Sequence, residues 1–501
     1  MHMIVNKRPS VLEGVRAFFS DRTLLVLLAL AMAVRVAAIV AFPSLHHPDE
    51  NFQLFEQAHR IAFGYGVVPW EFREGIRSPV LPYILAALFW LGERLVGGPE
   101  GYLLVARSAL AAISLLGVAA VYRMGQRTSQ THGLMAGLVA ATWFELVYFA
   151  GRPLTEAVAT TFLLVALSLA SAPPERLGFR RLAAIGFCLG LSLMLRVHLA
   201  PGLLVVAIWV GGLNLRGRWY PIALGGLVPL LVFGAADWLY WGAPFSSYLA
   251  AVRVNLIDGK ASIYGVEPPA YFFEHLAAIW AGALPAMAAL ILLRARTSAL
   301  WIVTALVILA THAAVPHKEY RFVFPAYACL VLVAAMGSAD VIERLRQLPG
   351  AQRAGRALVA LTAALWVGTS ATLAFAPGYT DEWFEARDLI EASFKLAHQP
   401  DLCGLLFYTD DWPSTGGYAH LHRNVPMYAL ADDQDTARES TDAFNVIILS
   451  RETLDDFTPQ YTLQECSGTG DDDDVCIMKR EGACTPAPDL EVNSMLRRTG
   501  E

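Results

Sequence analysis

The sequence predicts a mainly α, polytopic membrane protein with about eleven transmembrane helices, interfacial helices in the first external loop and a small extracytoplasmic α/β domain at its C-terminal end. Three observations lead there. Of the 501 residues, 55% are hydrophobic and only 16% are charged, and with a mean hydropathy of +0.45 so few charges do not suit a soluble surface. Apolar runs of near-spanning length follow one another as far as Phe375, after which the chain turns polar. Arginines recur in alternate connections, which sets the sidedness.

The apolar runs are Thr23–Phe42, Val80–Val96, Tyr102–Tyr122, Gly133–Ala150, Leu154–Ala170, Leu182–Leu195, Leu199–Leu213, Trp219–Tyr240, Leu276–Leu293, Ala299–Val315, Phe322–Met336 and Ala357–Phe375. If every run crossed, the arginine-rich connections would alternate onto the wrong side. Val80–Val96 carries Pro79 and Pro82 at its start and the charged pair Glu93–Arg94 near its end. Laying this one run along the interface puts Lys7, Arg8, Arg16, Arg123, Arg127, Arg176, Arg180, Arg181, Arg216, Arg218, Arg294, Arg296, Arg344, Arg346, Arg353 and Arg356 all inside. The N-terminus is then cytoplasmic and the C-terminal domain external. The division falls at 1–376 for the transmembrane domain and 377–501 for the external one.

No cleavable signal is evident, because the first run is long enough to span and lacks a small-residue cleavage site, so it reads as a retained anchor. Four of the six cysteines, Cys403, Cys466, Cys476 and Cys484, fall in the polar C-terminal quarter, where an oxidising compartment favours disulfides of unassigned pairing over free thiols. A formal net charge of −6 offers no basic field for a phosphate backbone and excludes nucleic acid as a partner. The acidic run Asp471–Asp474 reads as a solvated loop.

The chosen sidedness gathers the polar segments that look chemical onto the external face. His46-His47-Pro48-Asp49-Glu50 follows the first span. Two adjacent carboxylates at a membrane surface suit a general base, while Asp49 after Pro48 equally suits the cap of the helix that follows. His317-Lys318-Glu319-Tyr320-Arg321 sits at the outer end of another span, where Lys318 and Arg321 can hold a phosphate or snorkel to the interface. Arg152 and Glu156 stand four apart, as in a local salt bridge, and Arg196 with His198 closes a further span. Arg35, in the middle of the first span, reads as structural.

HHPDENFQLFEQAHRIAFGYGVVPWEFREGIRSPVLPYI, from His46 to Ile84, resembles the first external loop of glycosyltransferase family 22, the GT-C mannosyltransferases of GPI-anchor and dolichol-linked oligosaccharide assembly. GRPLTEAV at Gly151–Val158 and HKEYRFVFP at His317–Pro325 are similar to later segments of that family. STGGYAHLHRNVPM at Ser414–Met427 also resembles one of its segments, but with Gly416 and Gly417 where the family has its proline region. The resemblance implies a GT-C fold and inverting transfer of mannose from a polyprenyl-phosphate donor to a hydroxyl of a lipid-linked glycan or glycolipid. Asp49 is then the catalytic carboxylate with Glu50 in support. His317, Lys318, Glu319 and Arg321 hold the donor, with Arg77, Arg152 and Arg196 as secondary groups. His47, Trp70, Glu71, Tyr418, His420 and His422 line the acceptor side. No cofactor or metal is expected, since protein cations can balance one lipid phosphate. Another sugar, a protein acceptor, or a lipid-linked sugar flippase are the alternatives, although a flippase would keep its ionisable groups near the bilayer midplane. Short loops rich in Ala, Leu and Arg suit a bacterial cell membrane with the site on its external face, and an ER membrane is the alternative.

Overall fold

Asp21 accepts the backbone N–H of Leu24 at 3.2 Å and so opens α1 (Arg22–Ala41), whose buried stripe of Leu24, Leu27, Ala31 and Arg35 repeats at helical spacing. The computed structural model describes residues 20–349, 354–468 and 470–499; Lys7, Arg8, Arg16 and Arg353 lie outside the described residues. After α1, a π-helical turn (Glu50–Phe55) runs into α2 (Glu56–Phe63), which Gly64 ends at φ +88°. Then come α3 (Val80–Leu95), α4 (Gly98–Gln126), α5 (Gln130–Thr142), α6 (Thr155–Ala170) and α7 (Phe179–Leu195). The chain continues through α8 (Ala200–Gly211), α9 (Tyr220–Trp241), α10 (Tyr271–Trp280), α11 (Leu284–Arg294), α12 (Ala299–Ala313), α13 (Tyr320–Arg346) and α14 (Gly355–Ala374).

Among the described residues six helices are long and apolar enough to cross a membrane, or seven if α5 and the following Phe144–Gly151, bent by 57°, form one span. Shorter apolar helices accompany them at Thr155–Ala170, Val197–Gly211 and Ala299–Ala313. The chain is thus a multi-pass membrane protein. Helix α13 is its axis, buried from Tyr320 through Ala339. Helices α7 and α9 touch backbone to backbone, since a Cβ on Gly186 or Gly225 would stand 1.9 Å from the carbonyl oxygen of Ile222 or Ala183.

The connections rich in arginine meet at one end of the bundle. There Arg123 pairs with Asp21 at 3.1 Å, Arg294 with Asp340 at 2.7 Å and Arg346 with Glu343 at 3.0 Å. Helix α3 keeps both its ends away from them. Beside its start, the carbonyl of Arg77 accepts the indole N–H of Trp241 at the far end of α9, and near its finish Glu93 lies 3.9 Å from His422 of the C-terminal region. Arg35 is 2% exposed and does the work of a bracket. Its guanidinium donates to the carbonyls of Ala140 and Ala141 at 3.0 and 2.9 Å and to Ser114 Oγ at 2.9 Å, which satisfies the backbone freed where α5 breaks.

Past α14, α15 (Arg387–Ala397) precedes a five-stranded sheet of β1 (Leu405–Tyr408), β2 (Met427–Ala429), β3 (Val446–Ser450), β4 (Thr462–Cys466) and β5 (Val475–Lys479) in the order β2-β1-β3-β5-β4. β1 runs parallel to β2 and β3, and β5 antiparallel to β3 and β4. The four cysteines pair as Cys403–Cys484 and Cys466–Cys476. The acidic run is not wholly solvated, because Asp474 turns inward onto Arg451 at 3.0 Å.

Glu56 of α2 fastens this region to the first external loop. Its carboxylate accepts the backbone N–H groups of Val67 at 2.6 Å, Ala419 at 2.8 Å and Tyr418 at 3.3 Å, and burial pushes its pKa up to about 7. The two glycines that depart from the family pattern make this approach possible. Gly416 and Gly417 have φ of +82° and +55°, and a Cβ on Gly417 would stand 2.9 Å from Glu56 Oε2. Gly417→Ala is therefore expected to lower stability by about 1–3 kcal/mol. Thermal unfolding in detergent, with proteolysis of the 380–499 region as a second readout, checks this; an unchanged transition would remove the clasp.

Candidate active site

The chain leaves α1 at Phe42 and crosses the mouth of the bundle as Ser44–Glu50, and its two carboxylates part company there. Asp49 makes no side-chain cap to the helix it precedes. Instead its Oδ2 lies 2.6 Å from Arg321 Nη2 in the first turn of α13, with His47 Nδ1 3.5 Å from Oδ1. Burial disfavours the charge of Asp49, but Arg321, then His47 and Arg77, more than offset this and hold the carboxyl well below the usual carboxylate range. Its side chain keeps 21% exposure against 3% for Arg321, so the base candidate is the accessible member of the pair.

Glu50 turns the other way. It is fully buried and pairs with Arg152 at 3.0 Å, with Arg107 4.0 Å off, and it accepts the N–H of His46 at 2.8 Å. Arg152 also donates to Ser44 Oγ at 2.8 Å and lies 3.8 Å over the ring of Tyr148. The helical spacing of Arg152 and Glu156 suggests a local pair, and the structure replaces it with two long-range ones. Glu156 pairs with Arg196 at 2.7 Å and stands 3.9 Å from Arg321. Arg152 thus belongs to the scaffold of the loop, whereas Arg196 stays with Arg321.

Of the second cluster, Glu319 bonds Arg321 Nε and accepts from His317 Nε2 at 2.9 Å. His317 Nδ1 meets the Gly265 carbonyl at 3.1 Å; its bond to Glu319 raises its pKa against the effect of burial. Lys318 stands apart from them. Its three ammonium hydrogens go to the carbonyls of Val315, Glu267 and Pro316 at 2.5, 2.7 and 3.3 Å, so it knits the loop and has no hydrogen left for a phosphate. Arg77 is the opposite case. It has no ion pair within 4 Å among the described residues, its Nε is buried without a hydrogen-bond partner, and its charge acts on Asp49, Glu71 and Arg196.

On the acceptor side, Glu71 is buried and its Oε1 accepts the amide of Gln53 at 2.9 Å. Burial first, and the charge of Asp49 second, push its pKa up. Trp70 lies under Lys260, whose Nζ is 3.9 Å from the ring centroid. Tyr418, His420 and His422 are not gathered with them. Tyr418 donates to the Val425 carbonyl at 2.8 Å, His420 to that of Gly416 at 2.9 Å, and His422 Nδ1 meets His59 Nε2 at 3.0 Å. Of these bonds only that of His422 seats the C-terminal region on α2, while those of Tyr418 and His420 stay within it, and burial holds His420 down at about 3.

Several groups escape the sequence reading. Glu382 accepts from Tyr148 and bonds His46 at 2.5 Å, and the Glu385 carbonyl accepts the N–H of Leu45 at 3.0 Å. The segment just beyond residue 376 therefore braces the Asp49 loop. Glu145, at the break after α5, accepts from Trp143 at 2.7 Å, Trp280 at 3.0 Å and Tyr320. Like Arg107 it is a charge inside an apolar run, the signal that marks Arg35. Among the described residues no three His, Cys, Asp or Glu side chains are grouped to hold a metal ion.

Solved structures share this arrangement of helices. ArnT from Cupriavidus metallidurans bound to undecaprenyl phosphate matches with a TM-score of 0.60 and 14% identity over 92% of this chain and 99% of that one, and its apo state with 0.59. The protein is a membrane protein of the GT-C fold. A sequence profile of the Alg9-like mannosyltransferase family matches residues 25–392, and the chain belongs to that family. It is accordingly a mannosyltransferase. GPI mannosyltransferase 3 of Yarrowia lipolytica is 27% identical over 84% of this chain and 81% of its own length. GPI alpha-1,2-mannosyltransferase 3 of Xenopus laevis is 25% identical over 85% and 79%.

Proposed function

We propose that the protein transfers mannose, with inversion, from a polyprenyl-phosphate donor to a hydroxyl of a lipid-linked glycan on the extracytoplasmic face of its membrane. That face is periplasmic or external in a bacterial cell and lumenal in an ER membrane. The observation that carries this reading is the pairing of an accessible carboxylate, Asp49, with the buried Arg321 at 2.6 Å, beside Arg196 and the unpaired Arg77. A base and a phosphate site are thereby within reach of each other where a glycan from outside and a lipid from the membrane can meet.

Asp49 takes the proton of the acceptor hydroxyl as its oxygen attacks the anomeric carbon. The bond from that carbon to the phosphate oxygen breaks, and its electron pair leaves on the lipid phosphate. Arg321 links the two halves. While it pairs with Asp49 the carboxylate is a weak base, and a phosphate that draws on Arg321 strengthens it, so donor arrival readies the base. ArnT, similar in fold, was solved with undecaprenyl phosphate, which favours a lipid-phosphate donor.

Purified protein incubated with a panel of polyprenyl-phosphate sugars tests the reading. Mannose transfer with release of polyprenyl phosphate is expected, and transfer only from nucleotide sugars would overturn it. Arg77→Gln is expected to raise the donor KM about 10- to 150-fold, the loss of one charge-assisted contact. Lys318→Ala should leave the donor KM as it is, and parallel titrations of both variants separate the two cations.

A further inference from the structure

Phe322, in the first turn of α13, has five basic or imidazole side chains around it. The guanidinium carbons of Arg196 and Arg321 lie 5.0 and 5.4 Å from its centroid. The rings of His317, His198 and His312 lie at 5.8, 6.0 and 6.4 Å. Both nitrogens of His317 are engaged, by Gly265 and Glu319. His312, at the end of α12, is different. It is 7% exposed, its Nδ1 sits 2.8 Å from the Ile308 carbonyl, and its Nε2 is buried with no hydrogen-bond partner.

A carbonyl only accepts, so Nδ1 must carry a hydrogen. That fixes the neutral ring with a bare lone pair on Nε2, and Nε2 becomes a donor only when the ring gains a proton. The charged and titratable groups that face His312 are Arg196 at the end of α7, Glu156 in the first turn of α6 and His198 in the turn before α8, with Arg321 across Phe322. Glu156 is already paired with Arg196 at 2.7 Å, so an incoming anion finds little competing carboxylate on this flank.

We propose that His312, with the exposed His198 beside it, is a ligand of the donor phosphate, and that phosphate binding places one proton on His312 Nε2. This rests on the lipid-phosphate donor argued above and adds two residues and a proton to it. The phosphate supplies the negative charge that a protonated ring needs at this depth, and the N–H then points at the oxygen on which charge gathers as the sugar leaves.

The test uses the full-length protein in nanodiscs and methyl farnesyl phosphate, a phosphodiester whose single charge does not titrate near neutrality. Wild-type affinity is expected to fall as pH rises, by up to about tenfold per unit where the ring loses its proton. His312→Gln, whose amide N–H replaces the imidazolium donor without titrating, is expected to bind with that pH dependence abolished. His198→Gln should keep the slope and bind about threefold more weakly. Calorimetry of the wild type in buffers of different ionisation enthalpy needs no variant, and about one proton taken up per phosphodiester is expected. No proton uptake, or the same slope in His312→Gln as in the wild type, would overturn the proposal. Turnover of polyprenyl-phosphate mannose is measured alongside. A wild type that uses this donor without taking up a proton sinks only the histidine assignment, whereas one that uses no polyprenyl-phosphate sugar sinks the donor reading as well.

Discussion

Asp49→Asn is expected to slow mannose transfer about 10²- to 10⁴-fold, the usual contribution of a positioned general base, while the protein still folds and still binds donor. The substitution keeps the shape of the side chain and takes away its capacity to accept a proton. Its other proposed job, capping the following helix, is not a confounder, because the Asp49 side chain makes no such bond and faces Arg321 instead. The loss should therefore appear in kcat more than in the donor KM. Steady-state kinetics in nanodiscs decides it, and an Asp49→Asn enzyme with wild-type kcat would end the base assignment.

Glu50→Ala should fail for a different reason. Its carboxylate is fully buried against Arg152 and close to Arg107, and removing it leaves buried arginines without their anion. A cost of about 3–5 kcal/mol in stability follows, seen as a lowered thermal transition and a poor yield of folded protein. Combining it with Arg152→Ala should recover part of the loss, since the uncompensated charge goes too. A Glu50→Ala protein that is stable but inactive would place Glu50 in the chemistry rather than in the scaffold.

These adjacent residues mark where reading along the chain stops being enough. Asp49 and Glu50 look alike in sequence, and Arg152 with Glu156 looks like a helical pair. Helix spacing tells which side chains can meet within one helix. It says nothing of a loop that crosses the bundle mouth and sends one carboxylate to α13 and the next to Arg152 in the turn before α6. Lys318 shows the same limit, because a cation that in sequence looks as fit to hold a phosphate as Arg321 is used up by three carbonyls of its own and a neighbouring loop.

What the amino-acid order determined by itself is whatever a bilayer or a short stretch of backbone enforces. Apolar runs must span or lie in the interface, and arginines collect at one end. The HPDE and HKEYR segments pointed to the candidate site where Asp49 meets Arg321, and the four C-terminal cysteines to their disulfides. Only the tertiary structure decided which ionisable groups share a charge, because pairing across the bundle depends on distances between residues such as Asp49 and Arg321 that lie far apart in the chain. The same holds for Glu382 beside His46 and for the lone Nε2 of His312. Each is an ordinary residue until folding brings its partner, or withholds one, inside a medium where an unpaired charge costs several kcal/mol.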